Sequence, residues 1–300
     1  MSLTNIAIIG ATGNIGKIIL NALITSNLPL TITLLTRHEP PPTPTLPPNI
    51  TLTIQQTDFS SSLIAAFTGK DTIISAVGAT AFTEQQKYID AAVHAGVKRF
   101  IPSEFSVSSQ NEAVLGLLPL FGQKREVVEY LRLKEGEGLS WTGIACSGLF
   151  DWGLGNGFLG FDIPNRTAVI WDGGEKSFTL TNEKQLGQAV VSVLLHPERT
   201  ANQYLYIASV ETTQKEILSS LVNTTNAKWT VIETTSEAEV SGGLKKLGEG
   251  DFSGAFALVK ATVFGNTPGL RSNYVQEEKL GNGLLGLEVE SVNETVKLFK

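Results

Sequence analysis

The residues of this chain whose types and spacing could do chemistry are few. Tyr130 and Lys134, in "EYLRLKEG", have the Tyr-x-x-x-Lys spacing that puts a phenol and an ammonium on one helix face. Such a pair can pass a proton to a substrate that receives a hydride beside it. Lys124 stands earlier in the same helical stretch, directly after "PLFGQ", and offers a second candidate for that proton. Gly10, Gly13 and Gly16 punctuate "IAIIGATGNIGK", where an apolar run ends and a helical pattern begins. Arg37 closes the second apolar run, "LTITLLTR".

Glycine permits a tight turn and a close backbone approach, and the helix that follows presents free N–H groups and a positive dipole to a pyrophosphate. Taken alone, the triplet could serve only a tight strand-to-helix turn. Here it opens the first strand–helix unit and is followed at the right distance by a second strand, so Gly10, Thr12, Gly13, Asn14, Ile15 and Gly16 are expected to hold a dinucleotide. An acidic residue at the end of that second strand would bind the adenosine ribose and mark NAD. Arg37 occupies the place instead, and its guanidinium fork suits a 2′-phosphate, so the expected cofactor is NADP(H). The plain alternative is a solvated loop arginine, and His38 reads as a neighbour of the adenosine phosphate or an exposed residue, not a catalyst.

These residues need a scaffold. Short apolar runs at "NIAIIG", "LTITLL", "ITLTIQ", "DTIISAVG", "KRFIPS" and "LSWTGIAC" alternate with helical stretches, above all "NIGKIILNALITS", "TEQQKYIDAAVHAG" and "LFGQKREVVEYLRLK". That alternation predicts an α/β fold, a Rossmann doubly wound parallel sheet with crossover helices. "RHEPPPTPTLPPN" cannot be helical, because each proline lacks a donor and fixes its own backbone. After residue 150 the rhythm changes. "NRTAVIWDGGEKSFTLT" reads as a hairpin turning at Asp172, Gly173 and Gly174, then "EKQLGQAVVSVLLH" as a helix, and "SEAEVSGGLKKLGEG" and "FSGAFALVKATVFG" as short helices. The expected domains are an NADP-binding domain over 1–150 and a smaller α+β substrate domain over 151–300, with part of 180–210 packing back on the first.

Composition narrows the function. The chain has 300 residues, 42% of them hydrophobic and 17% charged, enough for a real core. A net charge of −6 argues against nucleic acid or an anionic membrane as partner. The single cysteine, Cys146, excludes an internal disulfide; with a start that lacks a basic region and a long apolar run, it points to the cytoplasm. His38, His94 and His196 fall outside any metal-ligand spacing, and no Gly-x-Ser-x-Gly elbow is present. Redox chemistry remains.

Helix polarity separates the two proton-transfer candidates. In a doubly wound sheet, ligands sit outside the carboxyl ends of the strands, where helix N-termini lie. The helix carrying Tyr130 starts near Pro119 to Phe121 and stops at "KEGEG", so Tyr130 and Lys134 lie at its far end. At about 1.5 Å rise per residue, Lys124 is roughly 15 Å nearer the cofactor edge. Partial burial beside an apolar pocket disfavours the charged form of a lysine and suits it to proton transfer.

The combination "GATGNIGK", "TRHEP", "SAVG", "RFIPSEFS", "LFGQKREVVEYL" and "SGLFDWGL" resembles the NmrA-like, isoflavone-reductase-like branch of atypical short-chain dehydrogenases, and within it the fungal CipA-type group. The similarity spans essentially the whole chain; the Ile-Pro-Ser-Glu-Phe stretch followed by a helix with an early lysine is its most specific part. The resemblance implies an NADP(H)-binding domain, a smaller substrate domain, and a lysine in place of the tyrosine pair, matched by Lys124. It places Ser103, Glu104 and Phe105 beside the nicotinamide, and Ser75, Ala76, Val77 and Gly78 beside the adenosine side. Asp58, Gly148 and Phe150 complete the expected cofactor set. Two positions depart from the plant enzymes: Ser106 stands where they have glycine, and Val128 where an arginine often follows the lysine. Those changes put the plant substrates in doubt.

Phe105, Phe150, Trp152, Phe158 and Phe161 are expected to wall an aromatic or polycyclic substrate. The expected function is NADPH-dependent reduction of a conjugated, benzylic or imine centre in such a molecule, by a monomer or weak homodimer. Three alternatives stay open: an NADP-binding redox sensor without turnover, a cofactor-dependent biosynthetic enzyme with no net redox change, and a quinone reductase.

Overall fold

The structure is a computed structural model that describes residues 2–37 and 46–300; His38 and most of the proline-rich segment lie outside the described residues. In chain order the elements are β1 Asn5–Ile9, α1 Asn14–Thr25, β2 Leu30–Thr36, β3 Ile50–Gln56, α2 Leu63–Phe67, β4 Thr72–Ser75, α3 Gln85–His94, β5 Arg99–Ile101, α4 Glu112–Leu117, α5 Gly122–Leu133 and β6 Ser140–Ala145. They continue with β7 Gly148–Leu149, α6 Phe150–Gly155, β8 Phe161–Asp162, β9 Thr167–Trp171, β10 Phe178–Thr181, α7 Glu183–Leu195, β11 Gln203–Tyr206, β12 Val210–Thr212, α8 Gln214–Thr225, β13 Thr230–Thr234, α9 Ser236–Gly248 and α10 Gly254–Phe264.

The first compact unit comprises 1–105, 123–144 and 186–205. Its sheet runs in the order β11-β6-β5-β4-β1-β2-β3, and the strands from β6 to β3 are parallel throughout. Strand order reverses between β1 and β4, which opens a crevice at their carboxyl ends. The central strands are apolar on both faces because helices cover both; Ile6, Ala7, Ile8, Ile73, Ile74 and Phe100 are wholly enclosed. On one face Tyr88, Ile89 and Ala92 of α3 and Val127, Val128 and Leu131 of α5 recur at helical spacing and close the core.

The second unit comprises 106–122, 145–185 and 206–300. It has two small sheets, β12-β10-β7 and β13-β9-β8. The units are not divided by a single cut near residue 150: 106–122 belongs with the later segments, and 186–205, most of α7 and of β11, belongs with the first unit, as expected of part of 180–210.

The expected hairpin over 165–181 does not form. β9 pairs in parallel with β13 and antiparallel with β8, whereas β10 pairs with β12 and β7. Asp172, Gly173 and Gly174 do turn the chain through left-handed conformations, with φ of 47°, 77° and 72°. Three such residues in succession carry the chain out of one sheet and into the other, where a two-residue turn would have returned it.

Candidate active site

Loops after the parallel strands of the first unit gather at one edge of the sheet, and the glycine turn lies at its centre. Gly10 has φ 81°, and a Cβ there would lie 2.5 Å from the Ala76 carbonyl oxygen; at Gly16 it would lie 2.1 Å from the Gly10 oxygen. Both positions exclude any side chain, which lets α1 start against the end of β1. Gly13 differs. A Cβ on it would meet only the Gly10 oxygen, at 3.4 Å, and one on Gly78 would meet nothing within 4 Å. Gly13 is also the N-cap of α1, with no side-chain cap and no acidic residue in the first turn. Thr12, Gly13 and Asn14 are exposed beside it. An open, uncapped N-terminus of a three-turn helix fits a pyrophosphate.

Arg37 follows β2 on the same edge. It is exposed, and its guanidinium lies 5.2 Å from the centroid of the Phe59 ring, which holds the fork at the strand end by cation–π contact. A planar cation presented this way fits a 2′-phosphate. Asp58 follows β3 and is exposed, but its carboxylate accepts from the Ser60 and Ser62 amides and the Ser61 and Ser62 hydroxyls. These bonds, the Ser60 amide first, hold the carboxyl well below its usual range. Asp58 thus braces the approach to α2.

Beyond β4, the Ser75 side chain is fully enclosed, whereas the loop that follows reaches the surface from Val77 and Gly78 onward. Ser103 joins this loop to the one after β5: its hydroxyl donates to the Val77 carbonyl and its amide donates to Gln85 Oε1, each at 2.8 Å. Glu104 and Phe105 follow and are buried.

Lys124 is the third residue of α5, at its N-terminal end, and only 4% exposed. Its Nζ donates to the Glu104 carbonyl at 2.8 Å and lies 4.8 Å from the centroid of the Phe82 ring. Tyr130 and Lys134 are at the other end of the helix. Sequence reasoning missed Tyr204 on β11, whose hydroxyl donates to Glu104 Oε2 at 2.5 Å. No local pattern marks a tyrosine so far along the chain as a partner of this loop.

The aromatic candidates of the second unit divide. Phe150 and Phe161 are wholly enclosed in its hydrophobic core, so the expectation that they face a ligand is corrected: burying each ring on the core is what fixes α6 and β8. Trp152 and Phe158 are partly exposed, with ring centroids 5.5 Å apart, and Phe256 of α10 meets Phe158 edge-on at 6.1 Å. Gly148 pairs with Leu180 in β7 and β10.

A parallel sheet that reverses its strand order beside a glycine turn, with an uncapped helix N-terminus at that point, defines a Rossmann-type dinucleotide-binding protein. More narrowly, the chain belongs to the NmrA-like family, whose model matches residues 3–241. It is 34% identical over 294 residues to the oxidoreductase aprR of Aspergillus flavus, spanning 97% of each chain. It is 31% identical over 215 residues to the isoflavone reductase homolog A622 of Nicotiana tabacum, spanning 68% of each. Among solved structures, AtPrR2 with NADP+ and (+)pinoresinol shares the fold, with a TM-score of 0.76 and 19% identity over the full length of both chains. The family expected from "GATGNIGK", the Ile-Pro-Ser-Glu-Phe stretch and the early helix lysine is thus the family observed.

Proposed function

We propose that this protein reduces a conjugated, benzylic or imine centre in an aromatic or polycyclic small molecule, with Lys124 as the group that transfers the proton. It is an NADP-dependent oxidoreductase: its full-length similarity to an oxidoreductase supports the class, and Arg37 at the end of β2, on a fold shared with an NADP+ complex, supports the cofactor. When bound, NADPH supplies the hydride. The glycine turn and the N-terminus of α1 would hold its pyrophosphate, and Arg37 its 2′-phosphate.

The observation that carries the reading is the position of Lys124. It is a buried amine tied to the loop after β5, at the N-terminal end of its helix and on the cofactor edge of the sheet. From there it transfers a proton at the reacting substrate atom as hydride arrives. The aromatic substrate class is supported by the chain's likeness to an isoflavone reductase homolog and by a fold shared with a complex that holds pinoresinol. A single buried cysteine fits a reducing, cytoplasmic setting. The test is to incubate the purified protein and NADPH with a panel of aromatic metabolites, and to follow nicotinamide absorbance together with product mass. Reduction of at least one aromatic member supports the reading; NADPH bound and never consumed across the panel counts against it.

A further inference from the structure

We propose that Tyr204 is a positioning residue for Lys124 and acts through the buried side chain of Glu104. The proposal rests on the reading of Lys124 as the proton-transfer group.

Glu104 is 1% exposed, so its carboxylate needs hydrogen bonds from the protein. Tyr204 Oη supplies one to Oε2 at 2.5 Å. The same residue's backbone carbonyl accepts from Lys124 Nζ at 2.8 Å. One residue is therefore held at its side chain by an edge strand and in turn holds the lysine by its main chain. The Glu104 amide also donates to the Pro102 carbonyl at 2.8 Å, which makes the loop after β5 a tight turn with little slack. A carboxylate released from Tyr204 would rotate toward other partners and pull on the peptide that Lys124 bonds.

Gly143 shows that the packing reserves space for this link. A Cβ there would lie 2.9 Å from Tyr204 Cδ2 and 3.6 Å from Glu104 Cγ, so even alanine would push the ring off its line to Oε2. The Phe82 ring beneath Lys124 gives the ammonium a contact without direction, whereas the Glu104 carbonyl gives it a directional bond.

The test needs no substrate. Full-length protein without cofactor is acetylated competitively with acetic anhydride, and the rate at Lys124 is read by peptide mass spectrometry against that at Lys98, whose side chain is 69% exposed. In the wild type Lys124 reacts slowly. Tyr204→Phe keeps the ring and removes only the hydroxyl, and is expected to raise the relative rate at Lys124 about tenfold, the equivalent of one charge-assisted hydrogen bond. Glu104→Ala is expected to do the same, and the double variant no more than Glu104→Ala alone, because the two act in one chain. An unchanged Lys124 rate in Tyr204→Phe, or additive effects in the double variant, overturns the proposal. Should Tyr204→Phe melt early, Gly143→Ala carries the test: it displaces the ring with the hydroxyl intact, and an unchanged Lys124 rate there also overturns it. Once a substrate is known, Tyr204→Phe is expected to lower kcat with NADPH affinity unchanged. The acetylation result does not depend on turnover, so failure of this link and failure of Lys124 as the catalytic group remain separable.

Discussion

The Tyr130 hydroxyl donates to Asp90 Oδ1 at 2.5 Å, and Lys134 Nζ lies 3.5 Å from the same oxygen. The bond to Asp90 is the largest influence on the Tyr130 phenol and raises its pKa; the bond to Glu137 does the same for the Lys134 ammonium. A catalytic pair would need the opposite, since a phenol and an amine that exchange protons near neutrality must titrate lower than usual. Tyr130→Phe is therefore expected to cost at most about 1 kcal/mol of stability, Lys134→Ala to leave the unfolding midpoint nearly unchanged, and both to leave hydride transfer within about twofold of wild type. Urea unfolding and single-turnover rates check the two halves of that statement.

Arg37 is proposed to carry the choice of cofactor. Wild-type protein should bind NADPH more tightly than NADH, and Arg37→Ala should erase about 1.5 to 3 kcal/mol of that preference. Titration calorimetry with both cofactors measures it, and equal wild-type affinities would rule out the assignment. Because the guanidinium is exposed and stacks on Phe59, the substitution should leave the melting temperature nearly unchanged.

Gly13 and Gly16 separate binding from folding. Gly13→Val puts a branched side chain into space open but for the Gly10 oxygen, and should weaken NADPH binding strongly in a folded protein. Gly16→Ala drives a methyl to 2.1 Å from that same oxygen and should destabilise the first unit itself, by more than about 3 kcal/mol. Circular dichroism melts and NADPH titration of both variants test the contrast; unchanged cofactor affinity in Gly13→Val would contradict a phosphate site at this turn.

Lys176 gives the second unit a dependence on pH. Burial holds its ammonium down to about 8, against the pull of Glu277 and Asp172, and its amine donates to the Gly265 carbonyl. An unfolded lysine keeps its proton to about 10.4, so between the two values the unfolded chain binds more protons and stability rises with pH. The urea midpoint of the second unit's unfolding should therefore climb from pH 8 toward pH 10, and Lys176→Met should flatten that climb. An equal slope in the variant would mean that the amine is not the source.

Most of the scaffold could be read from the chain, because each strand of the parallel sheet is a short apolar run bounded by turn residues and each crossover helix carries one apolar face. The places of the glycine turn and of Arg37 were legible for a similar reason: each stands at a strand end, which the pattern already marks. What stayed hidden depends on contacts between distant segments. The residues from Asp172 to Gly174 turn as their types imply, but whether the next strand returns to β9 is decided by β12 and β13, far along the chain. Phe150 and Phe161 have the same composition signal as exposed Phe256, and only packing tells core from surface. Tyr204 meets Glu104 because β11 joins the sheet beside β6, a pairing that no local spacing encodes.

Lys124, and not the Tyr130 and Lys134 pair, is proposed to move the proton. Its direct test is single-turnover hydride transfer from NADPH to the first aromatic substrate found, measured in Lys124→Ala beside Tyr130→Phe, with NADPH affinity checked by titration. Lys124→Ala is expected to slow the chemical step by roughly 10²- to 10⁴-fold while NADPH still binds, the usual contribution of a positioned acid or base. A Lys124→Ala rate near wild type would contradict the account, and loss of turnover in Tyr130→Phe alongside it would return the role to the tyrosine.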